Sequence, residues 1–200
     1  SQRTERCPQC AACSAPGGKL FHLTELVASH KIECSITALE ISNQRIKTMC
    51  DLGKRLGHNV PVLQGDASRT DWWDKKPFNH ILVDAPCSSS GTIRRNPDIK
   101  LLLEEKNLQF FQQKQLHILT NLWDKLSPGG LMFYSTCSLF REENDLLIQK
   151  LVEEKDAEIL KLKMPENVAN ALFTNYGCNL LPFDKISDGF YCSLISKKTI

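Results

Sequence analysis

No stretch of these 200 residues approaches eighteen consecutive apolar side chains, so the sequence offers no membrane-spanning helix. The opening SQRTERCPQC lacks the apolar core of a secretory signal. Neither sign of charge dominates: 25 basic residues stand against 23 acidic ones, a formal net charge of +2. A polyanionic partner must therefore be met through a local surface. Internal repeats and low-complexity tracts are also missing. What remains, 42% hydrophobic and 24% charged, is the composition of a globular chain with one core. Cysteine is not scarce, but its nine copies are odd in number and scattered through apparent strands and helices. That distribution points to free thiols in a reducing cytoplasm rather than a disulfide framework.

Short apolar runs alternate with helical periods. QCAAC (9–13) reads as a strand, SAPGGK as a turn, and a helix is predicted from about Leu20 to His30. SITALE (35–40) predicts a second strand, and a helix from Ser42 to Leu56 would gather Ile46, Met49, Cys50 and Leu56 near one face. NVPVLQGD (59–66) and FNHILVDAP (78–86) predict strands three and four. Leu108, Phe111, Leu119, Leu122 and Leu126 mark a long amphipathic helix from about Glu104, which SPGG (127–130) should end. LMFYSTC (131–137) predicts a fifth strand, followed by a helix carrying Leu147, Ile148, Leu151 and Val152. ISDGFYCSLIS (186–196) predicts a turn into a final strand, with AEILKLK (157–163) as its antiparallel neighbour.

This alternation is that of an α/β, doubly wound, mostly parallel sheet. Such sheets bind ligands beyond the C-terminal ends of their strands. The loops at 14–19, 40–43, 66–70, 84–98 and 137–142 are thereby singled out.

In APGGK (15–19), Gly17 and Gly18 would let backbone approach a ligand with no Cβ in the way. The turn is neither a G-x-G-x-x-G fingerprint nor a P-loop. Glu40, about twenty residues beyond, ends the second strand where an acid can accept from ribose hydroxyls. Asp66 ends the third, facing an adenine amino group or capping a turn. Together these favour an adenosine cofactor without a pyrophosphate grip, S-adenosylmethionine rather than NAD.

Cys87 and Cys137 fall at the ends of the adjacent fourth and fifth strands, so both thiols would face one pocket. Pyrimidine C5 is too weak a nucleophile to take a methyl group unaided. A thiolate adding to C6 makes C5 enolate-like, and a base must later remove the C5 proton so that the thiol is expelled. Such chemistry needs a thiolate, a group hydrogen-bonded to N3 or O2 and a pocket for an extruded base. Asp84 is positioned for the second role. Arg94 and Arg95, with Lys100, would clamp phosphates flanking the base. Lys19 either enters the pocket or pairs locally.

SAPGGK, DAPCS (84–88) and STCS (135–138) resemble the cofactor loop and the two cysteine motifs of the RNA 5-methylcytosine methyltransferase family. SGTIRRNPDIK (90–100), SPGG and REEND (141–145) resemble its bacterial ribosomal RNA small subunit methyltransferase B branch, the Sun/Fmu type. The likeness runs from about Cys13 to DGFY at 188–191. It implies a seven-stranded, Rossmann-like S-adenosylmethionine-dependent methyltransferase fold acting on RNA, with small-subunit ribosomal RNA as the partner. It further implies that Cys137 attacks C6, that Cys87 assists adduct breakdown, and that Asp84 contacts the cytosine. Lys19 becomes an active-site lysine, Glu40 the ribose acid and Asp66 the acid near adenine, while Ala15, Pro16, Gly17 and Gly18 wrap the methionine part. The ranking of the two thiols comes from the resemblance; their positions alone leave it open.

The family's first strand usually carries an acid two residues before the motif cysteine, where this chain has Ala11. Its bacterial members also carry an N-terminal RNA-binding region, so residues 1–200 are expected to be the catalytic domain of a longer protein. The alternative to catalysis is an RNA-binding domain that retains the fold. CPQCAAC offers C-x₂-C-x₂-C, but no fourth ligand at metal-site spacing accompanies it, and no metal is expected.

Overall fold

The computed structural model describes residues 7–165, 168, 170–182 and 187–199. Five parallel strands form one half of the sheet: β1 (Cys7–Ala12), β2 (Cys34–Glu40), β3 (Val62–Gln64), β4 (Phe78–Asp84) and β5 (Leu126–Thr136). They lie in the order β3-β2-β1-β4-β5, so the order in which strands are added switches sides between β1 and β4. Helices α1 (Gly18–Ser29) and α2 (Asn43–Leu56) follow β1 and β2. A single turn α3 (Ile99–Leu102) and the long α4 (Glu105–Trp123) lie between β4 and β5, and α5 (Asp145–Glu154) follows β5.

Alternation along the strands assigns the helices to the two faces. On β1, Ala11 joins Ala38, Leu20, Phe21 and Met49, so α1 and α2 cover that side. Cys10 and Ala12 point the other way, with Ile81, Val83, Ile118, Leu119, Leu122 and Leu147 under α4 and α5. Ser42 begins α2 by accepting the Arg45 N–H, and Gly57 ends it at φ 76°. Met49 and Gly53 are its buried positions; Leu56, expected on the same face, is exposed.

The expectation of seven mostly parallel strands is corrected: the described residues form nine strands in a mixed sheet. β6 (Ala157–Leu160), β7 (Ala171–Phe173), β8 (Cys178–Leu180) and β9 (Phe190–Lys197) are all antiparallel to their neighbours. β9 pairs along one edge with β5, and its other edge is shared. β8 takes residues 190–192 and β6 takes 194–197. One sheet position is therefore filled by two short strands, and β7 adds a further edge. The predicted β6–β9 pairing is present, while Ile186, where the entering turn was predicted to start, lies outside the described residues.

A second correction concerns SPGG. The helix has already ended at Trp123, and residues 127–130 belong to β5. Phe78 pairs with Leu126 but His80 with Leu131, so Ser127–Gly130 forms an irregularity opposite one strand step. Glycine and proline here bend a strand instead of stopping a helix.

Candidate active site

The C-terminal ends of β1, β2, β3, β4 and β5 open onto a cavity of about 420 Å³, the size of a small-molecule site. Ala15, Glu40, Asp66, Asp84, Cys87 and Cys137 all line it. Glu40 is only 3% exposed, and its carboxylate accepts the backbone N–H groups of Ala15 (3.3 Å) and Ser42 (3.1 Å). A carboxylate has about four lone-pair sites, so these bonds fix its direction without exhausting its capacity. Asp66 accepts from the Ser68 N–H (2.9 Å) and hydroxyl (2.7 Å), both on Oδ1, and so caps its turn while still bordering the cavity.

The glycine turn is divided in its duties. The Ala15–Pro16 peptide is cis. Pro16, Gly17 and Gly18 do not border the cavity. Gly17 sits at φ +107°, and a Cβ there would stand 2.6 Å from the Phe21 ring. Its smallness serves the seating of α1 as well as the turn. Gly18 opens α1 exposed, with nothing within 4 Å of where a Cβ would be.

Lys19 reaches across from α1 to Asp84, Nζ to Oδ2 2.8 Å, and lies 5.4 Å from the centroid of the Phe190 ring. Ser135 donates to the other Asp84 oxygen at 3.2 Å. Lys19 thus pairs with a residue that lines the cavity, Asp84, without itself bordering it.

The two sulfurs are 3.4 Å apart, the distance of a hydrogen bond and not of a disulfide. Ser89 Oγ lies 3.4 Å from Cys137 Sγ. The pair divides the charge unequally. Hydrogen bonding from Cys87 holds the Cys137 thiol down to about 6, with Ser89 and Lys19 helping and with burial and Asp84 opposing. The same bond, then burial, pushes the Cys87 thiol far up. The bond therefore favours the negative charge on Cys137 over Cys87. Cys13 also borders the cavity, but burial, Glu40 and Asp84 raise its thiol to about 12, which keeps it inert.

Both cysteine loops are braced from within the chain. Gly91 donates its N–H to the Cys137 carbonyl (2.8 Å), and its own carbonyl accepts from Gly189 (2.9 Å). A Cβ on Gly91 would overlap the Gly189 carbonyl oxygen. The loop leaving Cys87 therefore touches the chain entering β9 backbone to backbone. Arg95 pairs with buried Asp188 on the same segment, and Arg94 stands 3.6 Å from it. Hydrogen bonding to Arg95 holds the Asp188 carboxyl below its ordinary range. The arginines expected to clamp phosphates are thus engaged within the protein, although Arg95 remains 61% exposed. Lys100 is exposed on α3.

Sequence reading missed two groups. Phe111, Lys114 and Ile118 of α4 also line the cavity, at the i, i+3, i+7 spacing of one helix face. Glu143, in REEND, is wholly buried between the two cysteine loops. Among the described residues, no group of three or more His, Cys, Asp or Glu is arranged to hold a metal. No described helix is long and apolar enough to cross a membrane.

An α/β sheet reversing between β1 and β4, with this cavity above it, is a Rossmann-like methyltransferase fold. PH0851 superposes with a TM-score of 0.84 at 30% identity, covering 96% of this chain and 43% of that one. NSun6 from Pyrococcus horikoshii, solved with SFG, superposes at 0.83 with 24% identity, covering 96% and 48%. The chain belongs to the 16S rRNA methyltransferase RsmB/F family, whose profile matches residues 6–196. It is 38% identical over 190 residues to the "Probable ribosomal RNA small subunit methyltransferase B" of Coxiella burnetii, covering 93% of this chain and 43% of that protein. The Escherichia coli O127:H6 ribosomal RNA small subunit methyltransferase B is 38% identical over 188 residues, covering 93% and 41%. The chain thus spans about two fifths of the length of these relatives.

Proposed function

We propose that this chain methylates C5 of a cytosine in RNA, with small-subunit ribosomal RNA as substrate, through a covalent bond from Cys137 to C6. The observation that carries the reading is the pair of sulfurs 3.4 Å apart at one end of a cofactor-sized cavity. S-adenosylmethionine, when bound, supplies an electrophilic methyl group. Glu40 would hold its ribose, Asp66 its adenine, and Ala15, the member of the glycine turn that borders the cavity, its methionine part. The donor set fits: a buried acid pre-aimed by two backbone N–H groups is an acceptor for paired hydroxyls.

Cys137, favoured as thiolate, gives its electron pair to C6. Asp84 and Lys19 face the base as an ion pair and can hold N3, O2 or N4 as charge develops on the ring. The coupling of the thiols then orders the second half. Once Cys137 is a thioether, the two effects of its thiolate on Cys87, a hydrogen bond and a negative charge, disappear. Cys87 then ionises more readily. It takes the C5 proton, the C5–H electrons form the C5–C6 double bond, and the Cys137–C6 bond breaks to restore the thiolate. Position 11 is apolar and packed against Leu20 and Met49, so the turn relies on Glu40 without the acid common in the family.

RNA would lie along the Cys87 loop, where Arg94, Arg95 and Lys100 present cationic groups from an anchored backbone. A ribosomal substrate puts the work in the cytoplasm. The test is incubation with methyl-labelled S-adenosylmethionine and unmodified small-subunit ribosomal RNA, followed by nucleoside analysis. Label in 5-methylcytosine, abolished by Cys137→Ala, is expected. Cofactor binding without label in any RNA would instead favour an RNA-binding domain that retains the fold.

A further inference from the structure

Glu143 has no exposed surface, yet among the described residues its carboxylate meets no cation. Its donors are neutral, and they come from three separate parts of the chain. The Ser88 N–H bonds Oε1 at 2.8 Å, and the Ser88 hydroxyl bonds Oε2. The Ser138 hydroxyl bonds Oε2 as well. Gln115 of α4 donates Nε2 to Oε1 at 2.9 Å and also to the Pro86 carbonyl at 2.9 Å. Ser88 is the residue after Cys87, and Ser138 the residue after Cys137. One buried anion therefore grips both nucleophile loops one residue from each sulfur.

The neighbouring side chain completes the grip. Asn144 accepts from the Thr136 hydroxyl at 2.7 Å and donates to the Ser138 carbonyl at 2.9 Å. The Glu143 carbonyl accepts from Tyr134 on β5 at 2.7 Å, which fixes the clamp to the sheet. Burying a carboxylate is strongly unfavourable unless its hydrogen bonds are made. A purely packing role would be filled better by an apolar side chain. An acceptor able to take four bonds at one point is what joining two loops requires.

We propose that Glu143 is a positioning residue: by tying Ser88 and Ser138 to one carboxylate, it holds the Cys87 and Cys137 sulfurs at hydrogen-bonding separation. The proposal rests on the two-thiol reading of the site. Its effect on chemistry runs through the Cys87–Cys137 bond, which does most to keep Cys137 ionised. The other charged or titratable groups that act on the two sulfurs are Asp84, Lys19, Arg95 and Tyr134.

Two mechanisms of influence have opposite signs. As a bare negative charge, Glu143 disfavours nearby thiolates, so neutralising it would lower the thiol midpoints. As a clamp, losing it lets the sulfurs separate, and the Cys137 midpoint rises. The experiment is the pH profile of Cys137 alkylation by iodoacetamide in Glu143→Gln, with the modified peptide quantified by mass spectrometry. The midpoint is expected to rise by about one unit relative to wild type. In a Cys87→Ala background the same substitution should no longer raise the midpoint, because the bond it supports is already gone and only the small fall from the lost charge remains.

Ser138→Ala and Ser88→Ala keep the charge and remove one tether each. They should move the midpoint in the same direction by less, and they decide the matter if Glu143→Gln does not fold. A midpoint that falls or stays in folded variants overturns the proposal, as does an equal rise in the Cys87→Ala background. The alkylation assay contains neither RNA nor cofactor. A wild type that methylates no RNA, with the expected midpoint shifts, would remove the proposed function and leave the clamp standing.

Discussion

Replacing Cys87 by Ala removes the hydrogen bond that leads the depression of the Cys137 thiol from 9.0 to about 6. At about 6, roughly nine tenths of Cys137 is thiolate at pH 7. Ser89 and Lys19 still favour the charge in the variant, so part of the depression is expected to remain. A rise of about two units would cut the thiolate fraction at pH 7 to about one tenth. A more basic thiolate is also the better nucleophile, by about eightfold over two units at the usual Brønsted slope. The two effects nearly cancel at neutral pH, where alkylation should slow by less than about twofold. At pH 9, where both proteins are largely ionised, the variant should react several times faster. A single rate at pH 7 would therefore miss the effect, and the full iodoacetamide profile is the measurement required. A midpoint that stays near that of wild type would refute the claim that one thiol ionises the other.

Further outcomes follow from the same geometry. Cys137→Ala should lose both turnover and the covalent RNA species, whereas Cys87→Ala should accumulate that species on denaturing gels; an adduct surviving in the first would reassign the nucleophile. Gly91→Ala forces a Cβ into the Gly189 carbonyl and should destabilise the domain by about 3 kcal/mol, read by denaturant unfolding, while Gly18→Ala, with open space around it, should leave stability nearly unchanged. Lys100→Ala should reduce the slope of log affinity for RNA against log salt by about one without altering stability. Arg95→Ala should change both, since it also releases Asp188; an unaltered salt slope in both variants would remove this loop from the RNA surface.

The parts legible in the sequence are those determined within a few residues. β2 and β4 announce themselves because their apolar runs end in acids, Glu40 and Asp84. The meeting of Cys87 and Cys137 follows once β4 and β5 are taken as parallel neighbours. SPGG misled because proline and glycine break a helix and bend a strand with the same local chemistry; the choice is made by Phe78 and His80 across the sheet. The extra strands escaped for a similar reason, since only the pairing of β9 reveals that β6 and β8 divide one edge. Glu143 reads locally as one more acid in a charged helix start. Its burial is the work of Ser88, 55 residues away, and Gln115, 28 away. Arg94 and Arg95 look solvent-facing until Asp188 is brought to them by the sheet.

The contact between Gly91 and Gly189 makes the support of the Cys87 loop wait for the last described strand to be synthesised. Translation delivers β9 after every other described strand, yet β9 must slot between β5 and the β6/β8 edge. Until residues 188–197 have emerged and inserted, the Cys87 loop lacks the backbone against which it rests, and Asp188 is not there to restrain Arg95. A nascent chain stalled before that point carries both thiols and every residue from Cys13 to Cys137 that lines the cavity, but its Cys87 loop has no backbone to rest on.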